Sequence, residues 1–87
     1  MAFEWDTKKA TANLKKYGVS FTEAATVFAD PLSLTFPDPD HSIGESRYIT
    51  MGLSSSIKLL LVAHTDRDNH IRISQCQRSN AQRKEVL

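Results

Sequence analysis

The sequence of 87 residues predicts an α+β fold, with two N-terminal helices packed on a mostly antiparallel sheet of four to five strands and a short C-terminal helix. Two observations predict this class. Two amphipathic segments with helix-capping signals occupy the first third of the chain. Apolar runs of strand length, separated by short polar turns, fill the second half. A chain of this length forms one domain, residues 1–87, with a thin core.

The N-terminal segment is predicted to form a short strand and then a helix. The alternation in Phe3-Glu4-Trp5 favours the strand. Asp6 can cap the helix because its carboxylate can accept the free amide protons of the first turn. Gly18 supplies a left-handed stop. The residues expected on the buried face of this helix, from their i, i+4, i+7 spacing, are Ala10, Leu14 and Tyr17.

The second helix has a stronger start signal. Residues 20–23, Ser-Phe-Thr-Glu, form a capping box, in which the serine and the glutamate each bond a backbone amide of the other. Asp30-Pro31 ends the helix, because the residue before a proline disfavours helical conformation. Alternation then predicts a strand over residues 32–36, followed by an acidic loop over residues 37–44.

The second half is predicted to be a meander. Its strands are expected at Arg47 to Leu53, Ile57 to Thr65 and His70 to Gln77. Residues 54–56 and 66–69 are the expected turns. Asn80 can cap the final helix, which would run to Leu87.

Strand parity sorts the polar residues of this meander onto two faces. One face of the fourth strand is expected to carry Leu60, Val62 and His64. In the last strand, the residues expected opposite Ile71 and Ile73 are Arg72, Cys76 and Arg78. Pairing through the 66–69 turn would place His64 opposite His70, so a site that used His64 and Arg78 together would require the strands to bend around the sheet.

Composition excludes several classes of protein. No apolar run approaches the roughly 20 residues that span a membrane, and no secretory signal opens the chain, so a cytoplasmic location is expected. The single cysteine excludes an internal disulfide and any all-cysteine metal site. The three histidines lack metal-ligand spacing, and we expect neither a metal nor another cofactor.

An ordered set of short motifs resembles a known family. The motifs are Phe3-Glu4-Trp5-Asp6, residues 16–21, 23–25 and 28–31, residues 38–42, Glu45-x-Arg47 to Gly52, Leu59 to Thr65, and Ile71-Arg72-Ile73. Together they resemble the BrnT toxins of bacterial type II toxin–antitoxin systems, small ribonucleases with a RelE-like fold. The resemblance covers about residues 3 to 78. It implies a toxin that cleaves RNA without a metal ion and thereby inhibits translation and growth.

The resemblance also implies site residues. The catalytic positions are His64, Arg78 and Arg47, and the substrate-binding positions are Arg72, Gln77 and Glu45. Histidine can serve as a proton donor or acceptor near neutral pH. Arginine suits the phosphorane because its planar fork can bind two phosphate oxygens at once.

One departure from the family affects the expected activity. Gln77 stands where BrnT sequences usually carry the first arginine of an Arg-Arg pair. Loss of one charged contact in a transition state commonly costs about 10² to 10³ in rate. The alternative is therefore a catalytically weakened or inactive homologue, whose main role would be antitoxin binding and operon autoregulation.

The resemblance implies protein partners as well as an RNA substrate. A ribbon-helix-helix antitoxin of the BrnA type would neutralise the toxin in a hetero-oligomer, expected to be a heterotetramer. DNA would be bound only through the antitoxin, and no membrane is expected. A plain nucleic-acid-binding module is disfavoured, because it should show a stronger basic excess than the net charge of +1 and more exposed aromatic residues.

Overall fold

A computed structural model describes residues 2–38 and 46–79. The elements in chain order are β1 (Ala2–Glu4), α1 (Thr7–Tyr17), α2 (Phe21–Thr26), a 3₁₀ turn (Val27–Ala29), β2 (Leu34–Pro37), β3 (Arg47–Leu53), β4 (Leu59–Arg67) and β5 (His70–Arg78). The strands form one five-stranded sheet in the order β1-β5-β4-β3-β2. Strand β1 runs parallel to β5, and the other neighbouring pairs are antiparallel.

The core lies between the helices and one face of the sheet. Its buried side chains are Val19, Phe21, Ala24, Val27, Leu60, Val62, Ile71, Ile73 and Cys76. We call this side of the sheet the helix face and the other side the open face. The expected α+β arrangement of two helices on a sheet is confirmed, and the five-stranded sheet is mixed, with one parallel pair beside three antiparallel pairs. The final helix expected from Asn80 lies outside the described residues, and the RelE-like comparison stays a prediction.

Both helices begin as their sequences predict. The Asp6 Oδ1 atom accepts the amide of Lys8 at 2.7 Å, and Gly18 ends α1 with a φ of 73°. In α2 the Ser20 hydroxyl accepts the amide of Glu23 at 3.0 Å. The return bond of the expected capping box is replaced, because the Glu23 carboxylate instead accepts the Ser54 hydroxyl at 2.7 Å. Glu23 thus ties α2 to the turn that follows β3.

The turns of the meander differ from the predicted ones. Strand β4 begins at Leu59, because Ile57 has a left-handed φ of 62° inside a turn that Ser54 closes. The next turn is shorter than expected, since Asp68 takes a φ of 52° and Arg67 already pairs with His70. No helix in the described part of the chain is long and apolar enough to span a membrane.

The buried residue of α1 is Asn13, and Leu14, which was expected there, is 51% exposed. At the edge of β5, the side-chain amide of Asn13 forms the backbone hydrogen bonds that a neighbouring strand would otherwise form. Its nitrogen donates to the Cys76 carbonyl at 2.8 Å and to the Val19 carbonyl at 3.1 Å. Its oxygen accepts the Cys76 amide at 3.1 Å. Helix α1 is thereby fastened to β5 by hydrogen bonds where the apolar periodicity predicted a leucine contact.

A β-bulge changes the side-chain parity of β5. Ala63 pairs with Gln75 and His64 pairs with Ile73, so Ser74 has no partner residue in β4. The Ser74 hydroxyl donates to the Ala63 carbonyl at 3.2 Å and compensates for the interrupted ladder. Beyond such an extra residue the alternation of faces is reversed. The predicted face was therefore wrong for Cys76 and Arg78. The Cys76 side chain is fully buried on the helix face with Ile73, and Arg78 pairs with Leu60, a residue of that same face.

Replacement of Asn13 tests this attachment. Asn13→Ala leaves the buried Cys76 amide and two carbonyls without partners, and we expect a loss of about 2–4 kcal/mol in the free energy of unfolding. The neighbouring Leu14→Ala is the matched control, with a change of less than about 0.5 kcal/mol because its side chain is half exposed. Urea unfolding followed by circular dichroism measures both. Equal losses in the two variants would show that the amide contributes no special stability.

Candidate functional site

The open face of the sheet carries a cleft that contains two of the predicted site residues. The cleft has a volume of about 150 Å³. It is lined by Asp38, Arg47, Ile49, Leu61, Ala63, Gln75 and Gln77. These residues come from β3, β4 and β5 and from the end of β2. Arg47 and Gln77 are thus brought into one cleft, with an apolar floor between them.

Arg47 and Asp38 form the charged end of the cleft. The Asp38 amide donates to the Arg47 carbonyl at 2.9 Å, which holds the two residues side by side. The Arg47 Nε atom lies 3.4 Å from the Asp38 Oδ2 atom. Within the described part of the chain this nitrogen is buried and has no hydrogen-bond acceptor. A buried N–H without an acceptor is costly, so this donor can gain from an added phosphate oxygen.

Arg72 lies on the same face, in the same row of residues across the sheet. Thr65 pairs with Arg47 on one side and with Arg72 on the other. The two arginine backbones are therefore two strands apart, roughly 10 Å. The Arg72 Nη1 atom donates to the Glu4 carboxylate at 3.1 Å. This ion pair is partly exposed, and such pairs contribute little stability, so a phosphate can compete with Glu4 for the guanidinium.

His64 lies on the opposite, helix face and is 2% exposed. Its Nε2 atom is 2.8 Å from the Thr50 hydroxyl, which is itself 2.8 Å from the Thr35 hydroxyl. Its Nδ1 atom is 3.0 Å from the Asp66 carboxylate. Because the carboxylate accepts a proton from Nδ1, Nε2 is the acceptor for Thr50. Burial lowers the pKa of His64 below its ordinary value, although Asp66 opposes that shift.

These contacts place His64 in a hydrogen-bonded chain that links β4, β3 and β2. Its ring also packs against Phe28, with ring centroids 5.0 Å apart, and against Tyr48 at 6.1 Å. Both ring nitrogens are engaged inside the protein. The imidazole therefore does not reach the open face, and direct proton transfer to a ligand in the cleft would require it to leave this position.

Arg78 is not brought near His64. It pairs with Leu60, whereas His64 pairs with Ile73, so the two lie four positions apart along the hairpin, roughly 13 Å. The expected pairing of His64 with His70 was also wrong, because the turn between the strands is shorter than predicted. Glu45 lies outside the described residues. The catalytic assignments of His64 and Arg78 stay predictions.

Two polar residues that line the cleft, Asp38 and Gln75, were not among the predicted site residues. Asp38 follows β2 directly, and the antiparallel pairing of β2 with β3 places it across from Arg47. That register was the signal that could have identified it. Gln75 reaches the cleft only because of the bulge, and no pattern in the sequence predicts the bulge.

Two other kinds of chemistry would use the cysteine or a metal ion. Burial, with a smaller effect from Glu23, raises the pKa of Cys76 to about 12, so its thiol is not a nucleophile near neutral pH. Among the residues that the structure describes, no three His, Cys, Asp or Glu side chains come together as they would around a metal ion.

The lowered pKa of His64 gives a testable pH dependence. Below the ordinary pKa of about 6.5, the histidine of the unfolded chain binds a proton that the folded chain excludes. We therefore expect the free energy of unfolding to fall as the pH decreases from about 7.5 to about 5.5. Urea titrations of the parent and of His64→Gln check this. The variant should lose less stability over the same pH range, and parallel pH profiles would contradict the assignment to His64.

Comparison with known proteins identifies the family. A family model described as the ribonuclease toxin BrnT of type II toxin–antitoxin systems matches residues 5–82. No curated protein sequence matches the chain. A solved structure of the ribonuclease toxin BrnT from Brucella abortus superposes with a TM-score of 0.72, at 15% identity, over 93% of this chain and 99% of that one. That identity shows a shared fold alone. Because the family model spans most of the sequence, the chain belongs to the BrnT family of ribonuclease toxins of type II toxin–antitoxin systems.

Proposed function

We propose that this chain is a cytoplasmic, metal-independent endoribonuclease whose active site is the cleft on the open face. Membership of a ribonuclease toxin family supports the reaction. The observation that carries the location is the Arg47 side chain, which is 21% exposed and lines a cleft of about 150 Å³, and whose Nε atom has no hydrogen-bond acceptor among the described residues. A phosphate oxygen of RNA can bond this guanidinium.

The proposed reaction is attack of a ribose 2′-hydroxyl on the adjacent phosphorus, with departure of the 5′-oxygen. The crowded phosphorane carries extra negative charge, and the Arg47 guanidinium stabilises it in the poorly solvated cleft. The Asp38 carboxylate, 3.4 Å from the Arg47 Nε atom, is the candidate base for the 2′-hydroxyl proton. The leaving oxygen takes its proton from water.

The other predicted site residues take different parts in this proposal. Arg72 binds a neighbouring phosphate, because it lies on the open face roughly two strands from Arg47. Gln77 contacts the RNA through its amide. His64 acts indirectly, since its bond to the Thr50 hydroxyl fastens β4 to β3, and Thr50 in turn bonds Thr35 of β2. A direct catalytic role for Arg78 would require RNA to bind at the far end of β5.

The proposed partner is a ribbon-helix-helix antitoxin of the BrnA type. Membership of a type II toxin–antitoxin family supports a protein antitoxin. We propose that the two form a heterotetramer in which the antitoxin makes the DNA contacts. The complex would then repress its own operon while the ribonuclease is covered.

A specific observation favours the alternative, a weakened homologue that mainly binds its antitoxin. The cleft contains Gln77 where the family usually has an arginine, so one positive charge is absent. Two arginines of the open face lie beside carboxylates, Arg47 beside Asp38 and Arg72 beside Glu4. The net positive potential available to RNA is therefore small.

Cleavage of a labelled single-stranded RNA in EDTA tests the proposal. We expect the antitoxin-free parent protein to cut the RNA and Arg47→Ala to be slower by about 10² to 10³, because the transition-state cation is lost. Lys9→Ala is the charge-matched control and should keep the parent rate, since Lys9 is exposed on α1. Arg78→Ala tests the rival position and should also keep the parent rate.

Each contrary result has a distinct meaning. A larger loss in Arg78→Ala than in Arg47→Ala would move the site to the far end of β5. Cleavage that EDTA abolishes and Mg²⁺ restores would contradict metal independence. If the folded parent leaves RNA intact and Gln77→Arg cuts it, the weakened-homologue alternative is correct.

A further inference from the structure

Next to Arg47, the open face carries an apolar surface bounded by hydrogen-bonding amides. The pairing register places one row across four strands, from Phe36 through Ile49 and Ala63 to Gln75. The next row runs from Leu34 through Met51 and Leu61 to Gln77. We call these eight residues the platform. It has an aromatic ring on the β2 side and two glutamines on the β5 side.

Phe36 lies where its side chain could contact a ligand on the open face. Its side chain points away from the core, because the neighbouring Thr35 bonds the buried Thr50 hydroxyl on the helix face. The residue is 41% exposed although it belongs to the sheet. A contiguous exposed apolar patch commonly marks a binding surface, and Leu34 on the same face of β2 is also exposed. Phe36 was not among the candidate residues, since the alternation predicted only that it ends a short strand over residues 32–36.

The glutamines are suited to the edge of a planar polar ligand. Each carboxamide offers both a donor and an acceptor. The Gln75 Nε2 atom donates to the Tyr17 hydroxyl at 3.3 Å, which orients that amide while its oxygen remains an acceptor. Gln77 lines the same cleft two residues later. A neutral amide at this position can form hydrogen bonds with the polar edge of a base, whereas an arginine would mainly bind phosphate.

The platform lies at about the distance from the row of Arg47, Thr65 and Arg72 that separates a base from a phosphate within one nucleotide. Ile49 follows Arg47 by two residues on the same face, so the rows are roughly 7 Å apart. This is comparable to the separation of a base from its own phosphate. A phosphate at Arg47 would thus leave its base over Ile49, one strand from Phe36, where the ring can stack on the base and the outer edge of the base points toward the glutamines.

We propose that the platform binds one unpaired base of single-stranded RNA, with Phe36 stacking on the base and Gln75 and Gln77 bonding its edge. The proposal rests on the proposed function and adds the substrate class, single-stranded rather than duplex RNA. Unpaired bases can be splayed out, stacked on aromatic rings and bonded at their edges, whereas duplex RNA hides these groups. The continuity with Arg47 favours RNA over a protein segment, because a phosphate can bond the Arg47 guanidinium at the charged end of the cleft.

Affinity for a non-cleavable RNA tests the platform separately from catalysis. The probe is a fluorescent, fully 2′-O-methylated single strand of mixed sequence, followed by anisotropy. We expect Phe36→Ala to bind about 5- to 150-fold more weakly, which is the usual loss when one base–aromatic stack is removed. Phe36→Tyr should keep the parent affinity because it retains a ring. Leu14→Ala, a half-exposed apolar residue of α1, is the matched control.

Two further probes identify what Phe36 contacts. An abasic strand of the same length should bind the parent and Phe36→Ala equally, and a duplex should bind the parent more weakly than the single strand. If Phe36→Ala binds the single strand as the parent does while Arg47→Ala loses affinity, the platform proposal is wrong and the cleft assignment stands. If neither variant loses affinity, both are wrong. Weaker binding of a ribbon-helix-helix antitoxin by Phe36→Ala, with RNA affinity unchanged, would make the platform a protein interface instead.

Discussion

Between Ile73 and Gln75, strand β5 carries one residue more than β4 opposite it, and the candidate site depends on that insertion. Without the bulge at Ser74, strict alternation would put Cys76 on the open face and turn the two glutamines toward the helices. With it, the small Cys76 side chain fills the core, and Gln75 and Gln77 reach the cleft. Bulges are common beside functional sites because they redirect side chains in this way.

The bulge is held in place from both sides of β5. On the β4 side, the Ser74 hydroxyl bonds the Ala63 carbonyl. On the other side, β1 covers only the first residues of β5, and the Asn13 amide takes up both backbone groups of Cys76. A slip of β5 by one residue would leave these buried groups unpaired and would expose the core face. The attachment of α1 therefore protects the register on which the site depends.

Local interactions made part of this structure predictable. The caps at Asp6 and Ser20 were correctly inferred because each depends on neighbouring residues alone. The bulge was not predictable, because one extra residue in a strand depends on packing against two other elements. Asn13 was not predicted to be buried, because the periodicity of apolar residues identifies only apolar positions. Asn13 is polar and is buried because its amide forms hydrogen bonds inside the protein. Arg47 could be proposed from the family resemblance, whereas its partner Asp38 became visible only through the pairing of β2 with β3.

RNA is proposed to bind on the open face around Arg47, and not on the lysine-rich surface of α1 or at the far end of β5. Amide chemical-shift mapping by NMR, with a 2′-O-methylated single-stranded RNA added to the folded protein, tests this location most directly. We expect the largest shifts to cluster at Arg47, Ile49, Ala63 and Gln77, with small changes along α1. Largest shifts at Lys8 and Lys15 of α1, or at Arg78, would contradict it.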